Sequence, residues 1–162
     1  MIDLTRSLRH LAWADEKFFT ELAAAPAEIL ELETKPGGAT IGRLAVHIVN
    51  GAFWYRYCLN GAPWSDFTPP STYDDFADLA ALIHAIDGEL LAEALVPDAL
   101  MTFKDEDGTG RAMRSTLLTQ ACYHATEHRA QIALALDLAG YPGVIDLDEY
   151  DLWSFEHHEH HQ

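Results

Sequence analysis

The chain has 162 residues, and its 26 Asp and Glu against 10 Lys and Arg give a formal net charge of −16. This length fits one domain with its own core, and a hydrophobic content of 49% is typical of a folded protein rather than a disordered one. The acidity excludes a nucleic-acid-binding surface, which needs clustered Lys and Arg to neutralise phosphates, and it disfavours contact with anionic membranes.

Helical periodicity dominates the first part of the sequence. Apolar residues recur at spacings of three, four and seven over about residues 3–25, which predicts a first helix that Pro26 ends. Thr40 is a suitable N-cap for a second helix, which Asn60 and Gly61 end.

A third helix and a hairpin are predicted in the middle of the chain. Thr72 followed by Asp75 resembles a capping box, and it opens a helix that Pro97 ends. Two short runs with alternating apolar residues flank Asp107 and Gly108, a pattern that predicts a small β-hairpin or an extended excursion.

A fourth helix is expected to begin near Ser115 or Thr116 and to end at Gly140, and the acidic segment after it is expected to dock as a short final helix. Four long helices joined by loops predict an all-α protein, a four-helix bundle with a hairpin before the fourth helix. Globin-like packing is the alternative. We expect one domain over residues 1–156 and a His-rich tail at residues 157–162.

The sequence carries no sign of export or of membrane insertion. No run approaches the roughly 20 apolar residues of a membrane span, and charges interrupt the apolar stretch at the N-terminus. Cys58 and Cys122 do not form a C-x-x-C pair. We therefore expect a protein of the reducing cytoplasm without disulfides.

Two histidines of the fourth helix are spaced by one helical turn. His128 lies about 40° around the helix from His124 and about 6 Å along its axis, so both imidazoles can point at one ion. Gln131 and several apolar residues share this stripe, which indicates that the pair faces the other helices. Cys122 lies on the opposite face and is excluded as a ligand.

A catalytic zinc site uses three protein ligands and one open position. His47, in the middle of the second helix, is the candidate for the third ligand, and Gly51 one turn away would leave room for a bound group. The alternative is a buried polar cluster of three hydrogen-bonded imidazoles, and the spacing alone does not decide between the two.

His124, Glu127 and His128 also match the H-x-x-E-H pattern of inverzincin metalloproteases, but the match is short and little chain follows it.

The remaining histidines and the aromatic residues have more ordinary interpretations. His10 and His84 lack a histidine one turn away and are expected to be surface or capping residues, and the four histidines of the tail are assigned no function. Trp54, Trp64 and Phe67 are candidates for the walls of a pocket, although core packing is the usual role of tryptophan.

Four segments resemble the DinB/YfiT-like metal-binding four-helix bundles, and together they span nearly the whole chain. LRHLAWADEKFFTEL resembles the opening helix of that family, and TIGRLAVHIVNGAFWY resembles its second helix with a single histidine. CYHATEHRAQIALAL resembles its His-rich fourth helix, whose usual form is H-x-x-H-H-R-G-Q, and DLDEYDLW is similar to its C-terminal signature. This chain has Asp15, Glu127 and Ala130 where Asn, His and Gly are usual.

The resemblance implies an up-down-down-up bundle, a homodimer, and His47, His124 and His128 as the ligands of a divalent metal ion. Zn²⁺ is the expected ion, with Ni²⁺, Mn²⁺ and Fe²⁺ as alternatives, because three imidazoles and a water discriminate weakly. Relatives with known activity use the metal to activate a low-molecular-weight thiol toward an electrophilic small molecule. The resemblance thus implies a thiol S-transferase-like enzyme, with Glu127 as a candidate base beside the ligands.

Two other functions stay open at this point. One is a metal-dependent hydrolase that uses metal-bound hydroxide, with Glu127 as its base. The other is a non-catalytic metal-binding protein of the stress response. In each case the expected partner is a small molecule, with neither nucleic acid nor a membrane.

Overall fold

The computed structural model describes residues 4–64 and 74–161. Within these ranges the chain is mostly helical, as expected, with one two-stranded sheet. The elements are α1 (Thr5–Ala24), α2 (Ile41–Asn60), α3 (Asp74–Glu93), β1 (Leu100–Asp105), β2 (Gly108–Met113), α4 (Arg114–Leu138) and α5 (Leu152–His160), with 3₁₀ turns at Ala27–Glu31 and Leu147–Tyr150. None of the helices described combines the length and the apolarity that crossing a membrane requires.

The ends of α2 lie where the sequence predicts them. The Thr40 hydroxyl accepts a hydrogen bond from the backbone N–H of Arg43 at 3.3 Å, which caps the first turn. Gly61 follows the helix with φ +75°, a left-handed conformation that favours glycine, and its N–H donates to the carbonyl of Tyr57. The capping box predicted at Thr72 lies outside the described residues.

The start of α4 depends on a residue that the local sequence does not reveal. The helix begins at Arg114, slightly before the predicted Ser115 or Thr116. The Asp98 carboxylate accepts hydrogen bonds from the backbone N–H of Ser115 at 2.9 Å and from its hydroxyl at 2.8 Å. These bonds hold the pKa of Asp98 below its usual value, and they cap the first turn of α4 with a carboxylate 17 residues away.

The predicted hairpin is present, with its turn one residue earlier than expected. Strands β1 and β2 pair antiparallel with Asp105 opposite Gly108, so Glu106 and Asp107 form the two-residue turn. Gly108 has φ +132° and opens β2 instead of lying inside the turn. Phe103 of β1 contacts the Trp54 ring at a centroid distance of 5.9 Å, which docks the hairpin on α2.

The four long helices pack against one another and enclose a shared apolar core. Helix α1 packs on α3 and α2 packs on α4, while α2 also contacts α3 and α1 also contacts α4. The largest fully buried side chains come from all four helices and include Phe18, Phe19, Ile48, Phe76 and Leu118. The apolar faces of α1 and α3 are therefore used against each other.

Three charged side chains are buried in this core, in the part of the chain that the structure describes. Asp15, Asp87 and Arg129 are each at most 2% exposed. The Arg129 guanidinium donates a hydrogen bond to the carboxylate of Asp15. The Asp87 carboxyl lies beside Asp15, and no described residue donates a hydrogen bond to it. Burial and the charge of Asp15 raise the pKa of Asp87 well above its usual value, which favours a protonated Asp87 that donates to Asp15.

The ionisation of Asp87 is expected to weaken the fold as the pH rises. The pKa of Asp87 is higher in the folded chain than the roughly 3.9 of an unfolded chain, so between these values the folded state holds an extra proton and stability falls with rising pH. Asp87→Asn stays neutral and still donates to Asp15. We expect the free energy of unfolding of Asp87→Asn to rise relative to that of the wild type by about 1.4 kcal/mol for each pH unit of that window. Urea unfolding between about pH 5 and pH 8 measures the difference, and a difference that does not change with pH would contradict the prediction.

The C-terminal segment packs on α1 and half-buries His10, which was predicted to be a surface or capping residue. The His10 ring donates through Nε2 to the Tyr150 carbonyl at 2.7 Å and lies 5.6 Å from the Phe155 ring. Burial lowers the pKa of His10 from its usual value. His84 does lie on the surface as predicted, where its Nδ1 is 3.3 Å from a carboxylate oxygen of Glu16.

Helix α5 continues into the histidine-rich end without a break at residue 156. It runs from Leu152 to His160, and its Glu159 lies 3.4 Å from Arg6 and 2.8 Å from Arg9 of α1. The ring of His158 lies 5.7 Å from the ring of Trp13. Part of the predicted tail thus contributes to the contact between α5 and α1.

Candidate metal centre

The structure brings His47, His124 and His128 together, and they form the one metal-ligand cluster found within the described residues. His47 comes from α2 and the other two from α4, and one nitrogen from each ring lies within 4.8 Å of the others. The Nε2 atoms of His47 and His124 are 3.1 Å apart. His47 is exposed and the other two rings are half-buried, so the cluster is accessible from solvent on one side.

These distances fit the donor set of a divalent metal ion. Two imidazole nitrogens at the 2.0–2.1 Å typical of zinc lie about 3.3 Å apart in a tetrahedral site. The His47–His124 separation of 3.1 Å is close to this value, and the nitrogen of His128 lies within 4.8 Å of both. Three neutral nitrogens leave a fourth position for water or another ligand.

Gln131 fixes the tautomer of one candidate ligand. The amide oxygen of Gln131 accepts a hydrogen bond from Nδ1 of His128 at 2.9 Å, because a carbonyl oxygen can only accept. The hydrogen bond places a proton on Nδ1, so in the neutral ring Nε2 is the nitrogen with the lone pair, which is the usual arrangement of a metal-binding histidine. Gln131 lies on the same stripe of α4 as the two histidines. Its spacing of three residues from His128 is the signal that identifies it.

His124 is placed by its contact with α2. Burial, aided by the neighbouring His128 and His47, lowers the pKa of His124 to about 4, so this ring is neutral near pH 7. A Cβ at Gly51 would lie 2.3 Å from Cε1 and 2.7 Å from Nδ1 of His124. The expectation that Gly51 leaves room for a bound group is therefore wrong, because the ring of His124 occupies that room.

Gly51→Ala is expected to weaken metal binding at least about tenfold, since the new methyl group would push the His124 ring away from the other two. The matched control is Gly88→Ala on α3, where an added Cβ meets no atom within 4 Å. That variant should keep the metal affinity and gain up to about 1 kcal/mol from helix propensity. Competition titration with a chromophoric chelator measures both variants, and equal affinities would show that the Gly51 contact does not place His124.

Glu127 lies on the exposed side of α4 and was predicted to act as a base beside the ligands. Burial raises the pKa of the Tyr55 phenol, and the nearby charge of Glu127 adds to this effect. The Tyr55 ring is in turn 5.8 Å from the ring of His124. Glu127 directly precedes His128 in α4, and its role as a base stays a prediction.

Two of the predicted pocket walls, Trp54 and Trp64, line a cavity of about 650 Å³. Trp54, Tyr57 and Trp64 line it together with the hairpin residues 104–107. None of the three histidines is among its described lining residues. Trp54 and Trp64 therefore line a pocket, but the histidines of the cluster are not part of its described lining. Phe67 lies outside the described residues.

Comparison with known proteins gives one result. The DinB family model matches residues 1–159, a range that contains all three histidines of the cluster and nearly all of the described helices. No curated protein and no solved structure gives a significant match.

Proposed function

The chain belongs to the DinB family, and from this membership and the histidine cluster we propose that it binds one divalent metal ion through His47, His124 and His128. The observation that carries the proposal is the convergence of three imidazole nitrogens from two helices within 4.8 Å. The Gln131 hydrogen bond, which leaves Nε2 of His128 free, supports it. We also propose that the four long helices form the up-down-down-up bundle implied by the resemblance.

Zn²⁺ is the proposed ion, with Ni²⁺, Mn²⁺ and Fe²⁺ as the alternatives that a three-histidine donor set accepts. When bound, such an ion lowers the pKa of a water or a thiol in its open position and so supplies a nucleophile near neutral pH. The protein holds the three rings in place and keeps His124 neutral through burial. The exposed position of His47 gives small molecules access to that side of the cluster.

The proposed activity is the transfer of a low-molecular-weight thiol to an electrophilic small molecule. The sulfur of the thiolate forms a bond to an electrophilic carbon, the leaving group departs with its electron pair, and the thiol proton passes to solvent or to Glu127. The cysteines of the chain do not fit the role of the nucleophile. Burial raises the pKa of the Cys58 thiol to about 12 and that of Cys122 to about 11, so both stay protonated near neutral pH.

Thiol dependence distinguishes this activity from its alternatives. We expect the zinc-loaded protein to consume monobromobimane or a halonitrobenzene faster than the uncatalysed reaction, and only with an added thiol such as cysteine or glutathione. Ester or amide hydrolysis without any thiol would instead indicate the metal-dependent hydrolase. Stoichiometric metal without turnover of either kind would indicate the non-catalytic metal-binding protein.

The matched controls for this assay are His47→Ala, which removes one proposed ligand, and His84→Ala, which removes an exposed histidine of α3. The first should lose the activity and the second should keep it. Loss of activity in both variants would show that the reaction does not depend on the cluster.

We propose that the chain forms a homodimer and acts on a small molecule. Helices α1 and α3 pack on each other. Exposed apolar side chains available to a second copy lie on α4, where Tyr123, Leu134 and Leu138 are 61%, 60% and 80% exposed. Sedimentation equilibrium would identify the dimer, and a monomer over the whole concentration range would contradict it.

A further inference from the structure

An aromatic pocket lies beside α2 at the end where the hairpin docks. Its cavity of about 650 Å³ is lined by Trp54, Tyr57 and Trp64 and by the hairpin residues 104–107. None of the three histidines of the cluster is among its described lining residues, and Trp54 lies about 10 Å along α2 from His47.

The rings of the aromatic pocket are arranged as walls that meet at an angle. The Trp54 and Trp64 centroids are 5.1 Å apart with their planes at 70°, and the Tyr57 centroid is 5.4 Å from that of Trp54. Trp64 is held in position because its indole N–H donates to the Asn50 carbonyl at 3.3 Å. Two indole rings at such an angle form a corner in which one group can contact both.

The other side of the aromatic pocket is acidic. Asp105, Glu106 and Asp107 follow one another at the hairpin turn, against the single cation Lys104 among the described lining residues. The Lys104 ammonium donates to the hydroxyl of Thr109 at 3.0 Å, and a buried carboxylate oxygen of Asp105 has no hydrogen-bond partner among the described residues. These four side chains carry a net charge of −2, and the charge of −16 on the whole chain adds to the same field.

We infer that the aromatic pocket binds an organic cation, a quaternary ammonium or a protonated amine, with its charged centre against Trp54 and Trp64. Indole faces attract cations, and the attraction grows when the cation is partly removed from water. The carboxylates of the turn add a second attraction of the same sign and repel anions. A bare metal ion does not suit the apolar walls, since it prefers several oxygen or nitrogen ligands, whereas an organic cation uses both the apolar surface and the charge.

A comparison of choline with its neutral carbon isostere, 3,3-dimethylbutan-1-ol, separates the contribution of charge to binding from that of shape. The two molecules have the same size, so a pocket that recognises charge should bind choline at least about tenfold more tightly. Isothermal titration of the full chain with each compound gives the two affinities, and tryptophan fluorescence reports contact with the indole rings. Equal affinities, or no saturable binding of choline, would overturn the inference.

Variants locate the binding within the chain. Trp54→Ala should reduce choline affinity about tenfold, whereas Trp153→Phe, which changes a tryptophan that is 79% exposed on α5, should leave it unchanged. Since Trp54 also packs against Phe103, a second variant keeps the test independent of folding. Glu106→Gln with Asp107→Asn changes two exposed carboxylates of the turn and should weaken choline without affecting the alcohol. Choline binding unchanged in both variants would place the cation elsewhere and overturn the inference.

Discussion

Alanine at His47, His124 or His128 is expected to abolish stoichiometric metal binding, with a loss of affinity of at least about 100-fold in each single variant. Each substitution leaves two imidazoles, and two neutral nitrogens do not satisfy an ion that takes three protein ligands and one open position. Elemental analysis after gel filtration measures the retained metal per chain. The matched control is His84→Ala, which removes an exposed histidine far from the cluster in sequence and should retain the metal.

The four histidines of residues 157–161 must be replaced in this experiment, because exposed imidazoles can bind metal ions on their own and would mask a loss at the cluster. Truncation after residue 156 would remove Glu159, which pairs with Arg6 and Arg9, and would shorten α5. Replacing the four histidines by glutamine keeps Glu159 and the helix. In that background, full metal content in any one of the three alanine variants would show that the assigned ligand set is wrong.

Arg129→Met is expected to have the largest effect on folding, a loss of about 3–5 kcal/mol in the free energy of unfolding. The substitution preserves much of the side-chain volume but leaves Asp15 and Asp87 buried without a cation. An uncompensated buried carboxylate costs far more than the ion pair itself contributes. Urea unfolding measures the loss, with Arg111→Met as control, because Arg111 is exposed on β2 and should change stability by less than about 0.5 kcal/mol.

Adding Asp15→Asn to Arg129→Met separates the charge from the packing. The double variant removes the buried negative charge along with the cation, so it should recover part of the lost stability. No recovery would show that the loss comes from packing around Arg129. A loss below about 1 kcal/mol in the single variant would show that water or movement of the helices relieves the buried charge.

The helices and the hairpin were predictable because their signals are local. An apolar stripe at helical spacing, a Thr40 cap and an Asp-Gly pair each act within a few residues of chain. The positions of His124 and His128 on one side of α4 follow from helix geometry alone. Features that depend on a second element were harder to predict, and the start of α4 is an example, because its cap Asp98 lies 17 residues before Ser115.

In the candidate site, too, local features were predictable from the sequence and contacts between helices were not. Helix geometry indicates that His47 faces a neighbour, but only the packing of α2 on α4 shows that its Nε2 comes within 3.1 Å of His124. The interpretation of Gly51 was wrong for this reason, since the group that fills the space above it comes from another helix. The burial of His10 likewise depends on Tyr150, which is 140 residues away along the chain.

The proposed metal ligands lie on the two helices α2 and α4, which pack directly on each other, and His47 and His124 are 77 residues apart in the chain. A bound ion would therefore act as a reversible cross-link that closes a long loop and binds only the folded chain. Metal availability then enters the folding equilibrium, and each tenfold rise in free metal above the dissociation constant adds about 1.4 kcal/mol of apparent stability. The melting temperature of the chain is then expected to rise with the concentration of free metal.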